Sequence, residues 1–440
     1  MKFKFLKKND VRFFVIIIIF SIFNYSNNKG IIFPFETEKI NKEISNYIDS
    51  FKQNKIFITI EIGSPTKIIN IYLTMDTNYL IIANSSIDNS YYNNEKSITY
   101  KNISFLDNYF LEYFKKGYLA KETFLFKTSL NNNEKQKFNN IEFIHALEYK
   151  DNTIKNSGYF GLQIPKKYKP NIYKSLKKEN VISEEYWNLK YTSDDKGYFI
   201  LGEYPSEYND EINVRKTNAL PCTEENTNLC WHLKFNDIKF GEINVNRDRL
   251  AEITPELGFI IGTGEYEQKI SENFFNKFNN KCQKKSTEDY KYNYYECDKD
   301  FDTSNFKNLE FIHTDLEFDF IMTKDDLFKI YNNKIYFLII FSVYSEKSWK
   351  LGKPFIKKYN FGYNTDNNKI YFYHKEEKVD ESKNNSNTIY YIVIGVLGIG
   401  AIIMAIFVII NKYFKPKRKI ANELKEEINI SSNQDNALGI

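Results

Sequence analysis

The sequence predicts a mostly β body between residues 38 and 378, followed by one membrane-spanning helix. Two observations favour this class. Within the body, apolar and polar residues alternate in short runs such as 57–62, 69–73 and 334–340, as they do in half-buried strands. Credible amphipathic helices are few, and 270–278 is one of them. After the body, the uncharged apolar run 389–410 is long enough to cross a bilayer as a helix.

Composition bounds the class of protein. With 42% hydrophobic and 27% charged residues among 440, the chain can bury a core, which excludes a disordered protein. The 9 Pro and 17 Gly exclude collagen-like and Pro-rich architectures. Lys and Arg total 61 against 57 Asp and Glu, and this net charge of +4 gives no argument for a nucleic-acid partner.

The two chain ends predict the topology. Basic residues precede the apolar run 13–23, a pattern typical of a secretory signal or, if it is not cleaved, of an N-terminal anchor within 1–28. Tyrosines flank the run 389–410, and a cluster of basic residues follows it. Because positive residues stay on the cytosolic side, we expect a cytosolic tail, 412–440, and a luminal or extracellular body. This predicts a secretory, vacuolar or cell-surface membrane protein.

The four cysteines then have a clear expectation. Such a body folds in an oxidising compartment, where closely spaced cysteines usually form bridges. Four cysteines allow three connectivities, and short loops favour the pairs Cys222–Cys230 and Cys282–Cys297.

Other candidate sites are few. The four histidines are scattered and give no metal or triad pattern, so we expect no metal and no cofactor: His145, His232, His313 and His374. Three sequons on the luminal side permit glycosylation: Asn84, Asn102 and Asn384.

One segment carries a family resemblance. In 60–78 a strand, a Gly-x-Pro turn and a second strand run directly into Asp76-Thr77-Asn78. This resembles the pepsin family of aspartic peptidases, in which such a hairpin leads to Asp-Thr-Gly. Further segments resemble that family in the same order along the chain: 157–165, 197–202, 231–233, 349–359 and 366–372.

The resemblance implies a bilobal pepsin-like fold and a division of the chain. The expected parts are a signal or anchor (1–28), a first lobe (38–205), a second lobe (206–378), a stalk (379–388), a transmembrane helix (389–411) and the tail (412–440). In the first lobe, Asp76 is the expected catalytic acid and Thr77 a substrate-binding residue. The hairpin after Tyr113, with Gly117, resembles the flap that covers substrate.

The family's chemistry needs two acids, one from each lobe. At about 3 Å apart they share one proton, so that one activates water while the other protonates the scissile carbonyl. The second acid should lie in 251–266, and Thr254 occupies the position expected for it. Another register puts 262–264 there, and neither register offers an Asp. Pro255 then replaces a hydroxyl residue that interlocks the loops, and Glu256 replaces a glycine.

These departures leave several hypotheses open. The first is a membrane-anchored pseudoenzyme whose cleft binds an extended peptide or protein segment. The second is an active aspartic endopeptidase in which Glu252 or Glu256 supplies the missing acid. The third is a structural ectodomain with a vestigial cleft. The ligand and the oligomeric state stay open.

Overall fold

The computed structural model describes residues 30–38, 54–85, 87–88, 91–106, 114–128, 135–149, 157–165, 171–203, 214–222, 228–243, 249–278, 281–344 and 348–373. The chain forms two compact units, Met1–Lys375 and Glu376–Ile440. The second unit lies wholly outside the described residues, and so does the predicted leader. Among the described residues, no helix is long and apolar enough to cross a membrane, and the run 389–410 is not among them.

Strands dominate the described part of the chain, as the alternation predicts. The first ten are β1 (Ile31–Thr37), β2 (Ile56–Ile62), β3 (Lys67–Thr74), β4 (Leu80–Ala83), β5 (Lys101–Leu106), β6 (Phe114–Lys127), β7 (Lys135–Tyr149), β8 (Gly158–Gly161), β9 (Tyr186–Tyr191) and β10 (Lys196–Leu201). The next nine are β11 (Val214–Asn218), β12 (Leu220–Pro221), β13 (Leu229–Cys230), β14 (His232–Phe235), β15 (Asp237–Phe240), β16 (Arg249–Ile253), β17 (Ile260–Gly262), β18 (Cys282–Ser286) and β19 (Tyr292–Asp298). The last eight are β20 (Leu309–His313), β21 (Phe318–Met322), β22 (Phe328–Tyr331), β23 (Lys334–Phe337), β24 (Ile339–Ser342), β25 (Trp349–Leu351), β26 (Asn360–Asn364) and β27 (Lys369–Tyr373).

Helices are short. They are α1 (Ile172–Lys178), α2 (Gly264–Asn273), α3 (Lys324–Leu327) and α4 (Lys353–Lys358), with 3-10 turns at Asn94–Lys96 and Phe275–Phe278. The helix predicted over 270–278 therefore begins earlier and ends at Asn273, where the chain tightens into the second 3-10 turn. The aromatic residues that suggested a helix as far as residue 278 pack in the core, since Phe274 and Phe275 are buried.

Two large sheets organise the body. A 13-stranded sheet runs in the order β11-β27-β26-β9-β10-β1-β2-β3-β8-β4-β7-β6-β5. A nine-stranded sheet has the path β14-β16-β25-β17-β24-β19-β23-β22, with β18 paired to β19. β15, β20 and β21 form a third sheet, and β12 and β13 form a ribbon. The last strands, β26 and β27, pair with β9 and β11, so the end of the body belongs to the same sheet as its first strands.

The core follows the period-two pattern of the strands. In β2 the isoleucines at 56, 58, 60 and 62 are buried, while the residues between them are more exposed. Trp187 stacks on Tyr363 with ring centroids 4.0 Å apart, and both rings contact Trp231 edge-on. The Trp231 indole N–H donates to the carbonyl of Leu162 at 2.7 Å. This aromatic cluster joins segments from both predicted lobes.

Both predicted disulfides are confirmed. Cys222 is bonded to Cys230, and Cys282 to Cys297. Each bridge connects residues of neighbouring strand segments, and Cys282 lies directly opposite Cys297 in the β18–β19 ladder.

The chain contains an internal structural repeat. In the first lobe, β3 runs parallel to β8, and β4 runs antiparallel to β8. In the second lobe, β16 and β17 pair with β25 in the same two directions. Both turns that connect the paired strands lie against a glycine, Gly161 at the end of β8 and Gly352 directly after β25. The repeat therefore places the turn 75–79 and the turn 254–259 in equivalent positions.

Gly352→Ala tests the tightness of the second turn. A Cβ at this position would lie 2.0 Å from the carbonyl oxygen of Phe259, a backbone atom that moves only with the whole turn. We expect the free energy of unfolding to fall by about 2–4 kcal/mol, as in overpacked sites. Urea denaturation measures it. Gly264→Ala is the matched control, because the nearest atom to its Cβ is 3.3 Å away, and an equal loss in both variants would contradict the packing argument.

Candidate active site

Asp76 lies in the turn between β3 and β4. The Asp76 backbone N–H donates to the Thr74 hydroxyl at 3.1 Å, and the Asp76 side chain is exposed. Thr77 is buried and accepts the N–H of Tyr79 at 3.3 Å, while its carbonyl accepts the N–H of Gln163 at 3.0 Å. The turn is thus fixed to β8, and it holds Asp76 at the surface.

Strand register identifies the residue that matches Asp76 in the second lobe. In the first lobe, Leu73 and Leu80 both pair with Phe160 of β8. In the second, Ile253 and Ile260 both pair with Leu351 of β25. The interval from Leu73 to Leu80 has the same length as the interval from Ile253 to Ile260. Thr254 therefore aligns with Thr74, and Glu256 aligns with Asp76. The register therefore corrects the sequence-based placement of Thr254 at the position of the second acid.

The glycine contacts are compatible with this alignment, since Gly161 lies against Thr77 and Tyr79 and Gly352 against Leu257 and Phe259. A Cβ on Gly161 would meet the carbonyl of Thr77 at 2.3 Å, and one on Gly352 would meet the carbonyl of Leu257 at 2.5 Å. Leu257 is therefore the counterpart of Thr77, and Glu256 that of Asp76. Gly258 is then the counterpart of Asn78, and the second turn reads Glu-Leu-Gly. The glycine that we expected at position 256 is therefore present at position 258.

Glu256 reaches across to the first lobe. Its Oε1 accepts the backbone N–H of Met75 at 2.6 Å, and the Thr74 hydroxyl also bonds to its carboxylate. Burial and, to a smaller extent, the nearby charge of Asp76 together raise the pKa of Glu256 to about 7, against the lowering effect of the Thr74 and Met75 hydrogen bonds. Glu256 therefore holds a proton in mildly acidic solution, beside Asp76.

The second turn lacks groups that the first turn has. Pro255 matches Met75 and has no N–H, so it cannot offer Asp76 the bond that Met75 gives to Glu256. Leu257 matches Thr77 and has no hydroxyl. The Thr254 hydroxyl is buried and has no hydrogen-bond partner among the described residues. The two turns are alike in backbone path but not in polar groups.

Asn54 of the first lobe forms hydrogen bonds to the backbone of the second turn. Its N–H donates to the Glu256 carbonyl at 2.5 Å, and its side-chain amide donates to the Pro255 carbonyl at 2.9 Å. The same amide nitrogen donates to the Tyr191 hydroxyl at 3.1 Å. Asn54 is buried, so these bonds fix the backbone on either side of Glu256 in place.

Glu252, the other acid considered as a replacement, lies elsewhere. It pairs with Lys350 at 4.0 Å in the β16–β25 ladder. Of the two acids considered, Glu256 is therefore the one beside Asp76. The sequence holds a signal for this, because an acid, two residues, an aromatic residue and two aliphatic residues occur in both 76–81 and 256–261.

The remaining predicted site residues are dispersed. Tyr113 and Asn384 lie outside the described residues, and Gly117 lies in β6 opposite Leu106 and Ala146. Asn102 is exposed on β5, whereas the side-chain nitrogen of the buried Asn84 contacts Asn94 and His145. A glycan on Asn84 would need these contacts to open, and Asn102 has no such obstacle.

No metal cluster forms in the described part of the chain. His145, His232 and His313 are buried in separate places, and His374 is outside the described residues. Burial lowers the pKa of His145 to about 4.

Glu256→Gln tests the buried proton. Because the folded-state pKa of Glu256 lies above its ordinary value near 4.5, wild-type stability from this group is lost as pH rises from about 4.5 through 7. His145 acts in the opposite direction but is common to both proteins. We expect the stability of the Gln variant relative to wild type to increase by roughly 3 kcal/mol between pH 4.5 and 8.

Denaturant titrations across this pH range measure the difference. Glu256→Ala is the control, since it loses the Met75 bond and should be destabilised at every pH. A Gln-minus-wild-type difference that does not change with pH would contradict a raised pKa at Glu256.

Comparisons with known proteins agree with this geometry. A family model described as eukaryotic aspartyl protease matches residues 55–375, and no curated protein matches the chain. Among solved structures, the chain is similar to conglutin gamma, a basic 7S globulin from lupine seeds, with a TM-score of 0.58 and 10% identity, over 79% of this chain and 96% of that one. That likeness shows the fold alone. Since the family model spans most of the chain, the chain belongs to the eukaryotic aspartyl protease family.

Proposed function

We propose that the chain is a membrane-anchored, pepsin-like protein with an impaired catalytic centre, which binds an extended peptide or protein segment in the cleft beside Asp76. The observation that carries this proposal is the position of Glu256. It occupies the place of the second acid, and its carboxylate accepts the backbone N–H of Met75 in the opposite lobe. A group bound in this way holds the lobes together and is not free to move with a substrate.

The chemistry of the pair supports impairment. Two-carboxylate hydrolysis needs both acids aimed at the same substrate atoms, and small displacements cost much of the rate. Glu has one methylene more than Asp, Pro255 cannot donate to Asp76, and Leu257 offers no hydroxyl. The exposed Asp76 and the clasped Glu256 therefore sit in unequal surroundings.

A second candidate, an active acid endopeptidase, has one observation in its favour. The pKa of Glu256 is raised to about 7, so this carboxyl group carries a proton beside Asp76 at mildly acidic pH. One shared proton is the state that two-carboxylate hydrolysis uses. An Asp76–Glu256 pair would then act in an acidic secretory or vacuolar compartment.

Hydrolysis of a denatured protein between pH 3.5 and 7.5 separates the two functions. We expect the purified protein to bind the denatured protein without cleaving it, with or without pepstatin. Cleavage that Asp76→Ala or Glu256→Gln abolishes would overturn impairment and establish the endopeptidase. A binding assay on the same samples checks that the cleft is intact.

Restoring the second turn gives the complementary test. The double variant Glu256→Asp with Leu257→Thr creates an Asp-Thr-Gly turn with the existing Gly258. We expect weak, pepstatin-sensitive hydrolysis to appear, because a carboxylate of the right length and a hydroxyl are now present. The same double variant with Asp76→Ala is the control and should stay inactive. Restored activity that survives Asp76→Ala would rule out Asp76 as a partner.

Topology is tested separately. We propose that 389–411 spans the membrane and that the body is luminal or extracellular, on the strength of the basic cluster after residue 411. Protease added to the cytosolic face of sealed vesicles should shorten the chain by the tail 412–440 and leave the body intact. Degradation of the body from that face would reverse the topology.

A further inference from the structure

A cavity lies apart from Asp76 and Glu256. It has a volume of about 540 Å³, within the range of small-molecule sites. Its walls come from α3, β22 and α4 and from Asp194 in the β9–β10 turn. Asp76 and Glu256 are not among its lining residues, but Gly258 is.

One side of this cavity is apolar. Phe328 and Ile330 of β22, Leu338 and Pro354 line it. Ile330 is 63% exposed and adds apolar area to this side. An apolar group bound here would bury this surface and gain the corresponding hydrophobic free energy.

Another side is positively charged. Lys329 and Lys357 both form an ion pair with the carboxylate of Asp194. The Lys329 Nζ lies 3.3 Å from that carboxylate. These two lysines hold the pKa of Asp194 at about 2, despite its partial burial. One carboxylate thus lies between two ammonium groups.

Lys353 adds a third ammonium group, which is buried. It is 7% exposed, and its Nζ donates to Asp195 at 3.2 Å. Burial lowers the pKa of Lys353, and the nearby charge of Lys329 lowers it further. Because the Asp195 side chain is 66% exposed, water weakens its attraction for the buried ammonium. A further anion near these lysines would be favourable.

The acidic residues set a limit on the ligand's charge. Asp325 and Asp326 also line the cavity, and Asp326 is paired with Lys358 at 2.5 Å. A second negative charge, or a bulky dianion, would approach these carboxylates. A single carboxylate next to an apolar group satisfies both the lysines and the apolar side.

We propose that this cavity binds a small organic monoanion, a carboxylate attached to an apolar body. The carboxylate lies between Lys353 and the Lys329–Lys357 pair, and the apolar body lies against Phe328, Ile330 and Leu338. A free aromatic or aliphatic acid and the C-terminal residue of a peptide share this chemistry.

The cavity is connected to the turn that carries Glu256. Gly258 lines the cavity, and the backbone N–H of Lys353 donates to the Leu257 carbonyl at 2.8 Å. A ligand at this site would therefore lie next to Gly258 of the second turn. The proposed site does not depend on whether the acids are catalytically active.

Ligand-observed NMR titration of the purified full-length protein tests the proposal. The probes are hydrocinnamate and N-acetylphenylalanine, each compared with its neutral amide. We expect saturable binding of the acids, at least about tenfold tighter than the amides, because charge-assisted hydrogen bonds to the lysines are lost in the amides. Tighter binding of N-acetylphenylalanine would identify a peptide C-terminus as the source, and tighter binding of hydrocinnamate a free acid.

Two variants locate the site. Lys357→Glu should weaken binding of the acids about tenfold or more and leave the amides unchanged, and Ile330→Ser should weaken acids and amides alike. Both side chains are substantially exposed, so the fold should tolerate the changes. Lys216→Glu, an exposed lysine of β11, is the charge-matched control. Equal affinity for acids and amides, no saturable binding, or an equal loss in Lys216→Glu would overturn the proposal.

Discussion

The hydrogen bond from Met75 to Glu256 is the contact on which the centre of this molecule depends. It joins the acid of one turn to the backbone of the other at 2.6 Å. Asn54 fixes the carbonyls of Pro255 and Glu256 from the first lobe, so the second turn is held through both its side chain and its backbone. The Glu256 carboxylate in this position stabilises the contact between the two turns. An Asp side chain is one methylene shorter and would reach the Met75 N–H less well.

That structural role explains why the two turns differ. The first turn provides donors, the Met75 N–H and the Thr74 hydroxyl, and the second turn provides the acceptor. Pro255 removes the donor that would make the arrangement reciprocal, and the exposed Asp76 is left on the other side of the junction. The Met75–Glu256 bond and the two Asn54 bonds tie the second turn to the first lobe.

The fold followed from the sequence more readily than the site. Local sequence patterns predict much of the fold. Examples are the alternating run 57–62, the two short cysteine loops and the ordered segments that resemble the family. The position of the second acid depends on how the two turns align, and a shift of two residues changes which residue occupies it. The spacing from Thr254 to Gly262 and to the following helix favours Thr254, whereas the ladder to β25 aligns it with Thr74. The repeated acid–aromatic–aliphatic spacing was the signal that could have resolved the register.

The turn 254–259 is also the place where the molecule's two polar centres meet. One end bears Glu256, whose proton depends on burial and on Asp76, and the other end passes Gly258 and the Leu257 carbonyl, which contacts Lys353. Lys353 is itself buried and linked through Asp195 to Thr37 in the first lobe. Both centres are therefore bonded to the same short segment of backbone. Since that segment is clamped from both lobes, coupling between the ends requires no large movement, only a change in the strength of bonds already present.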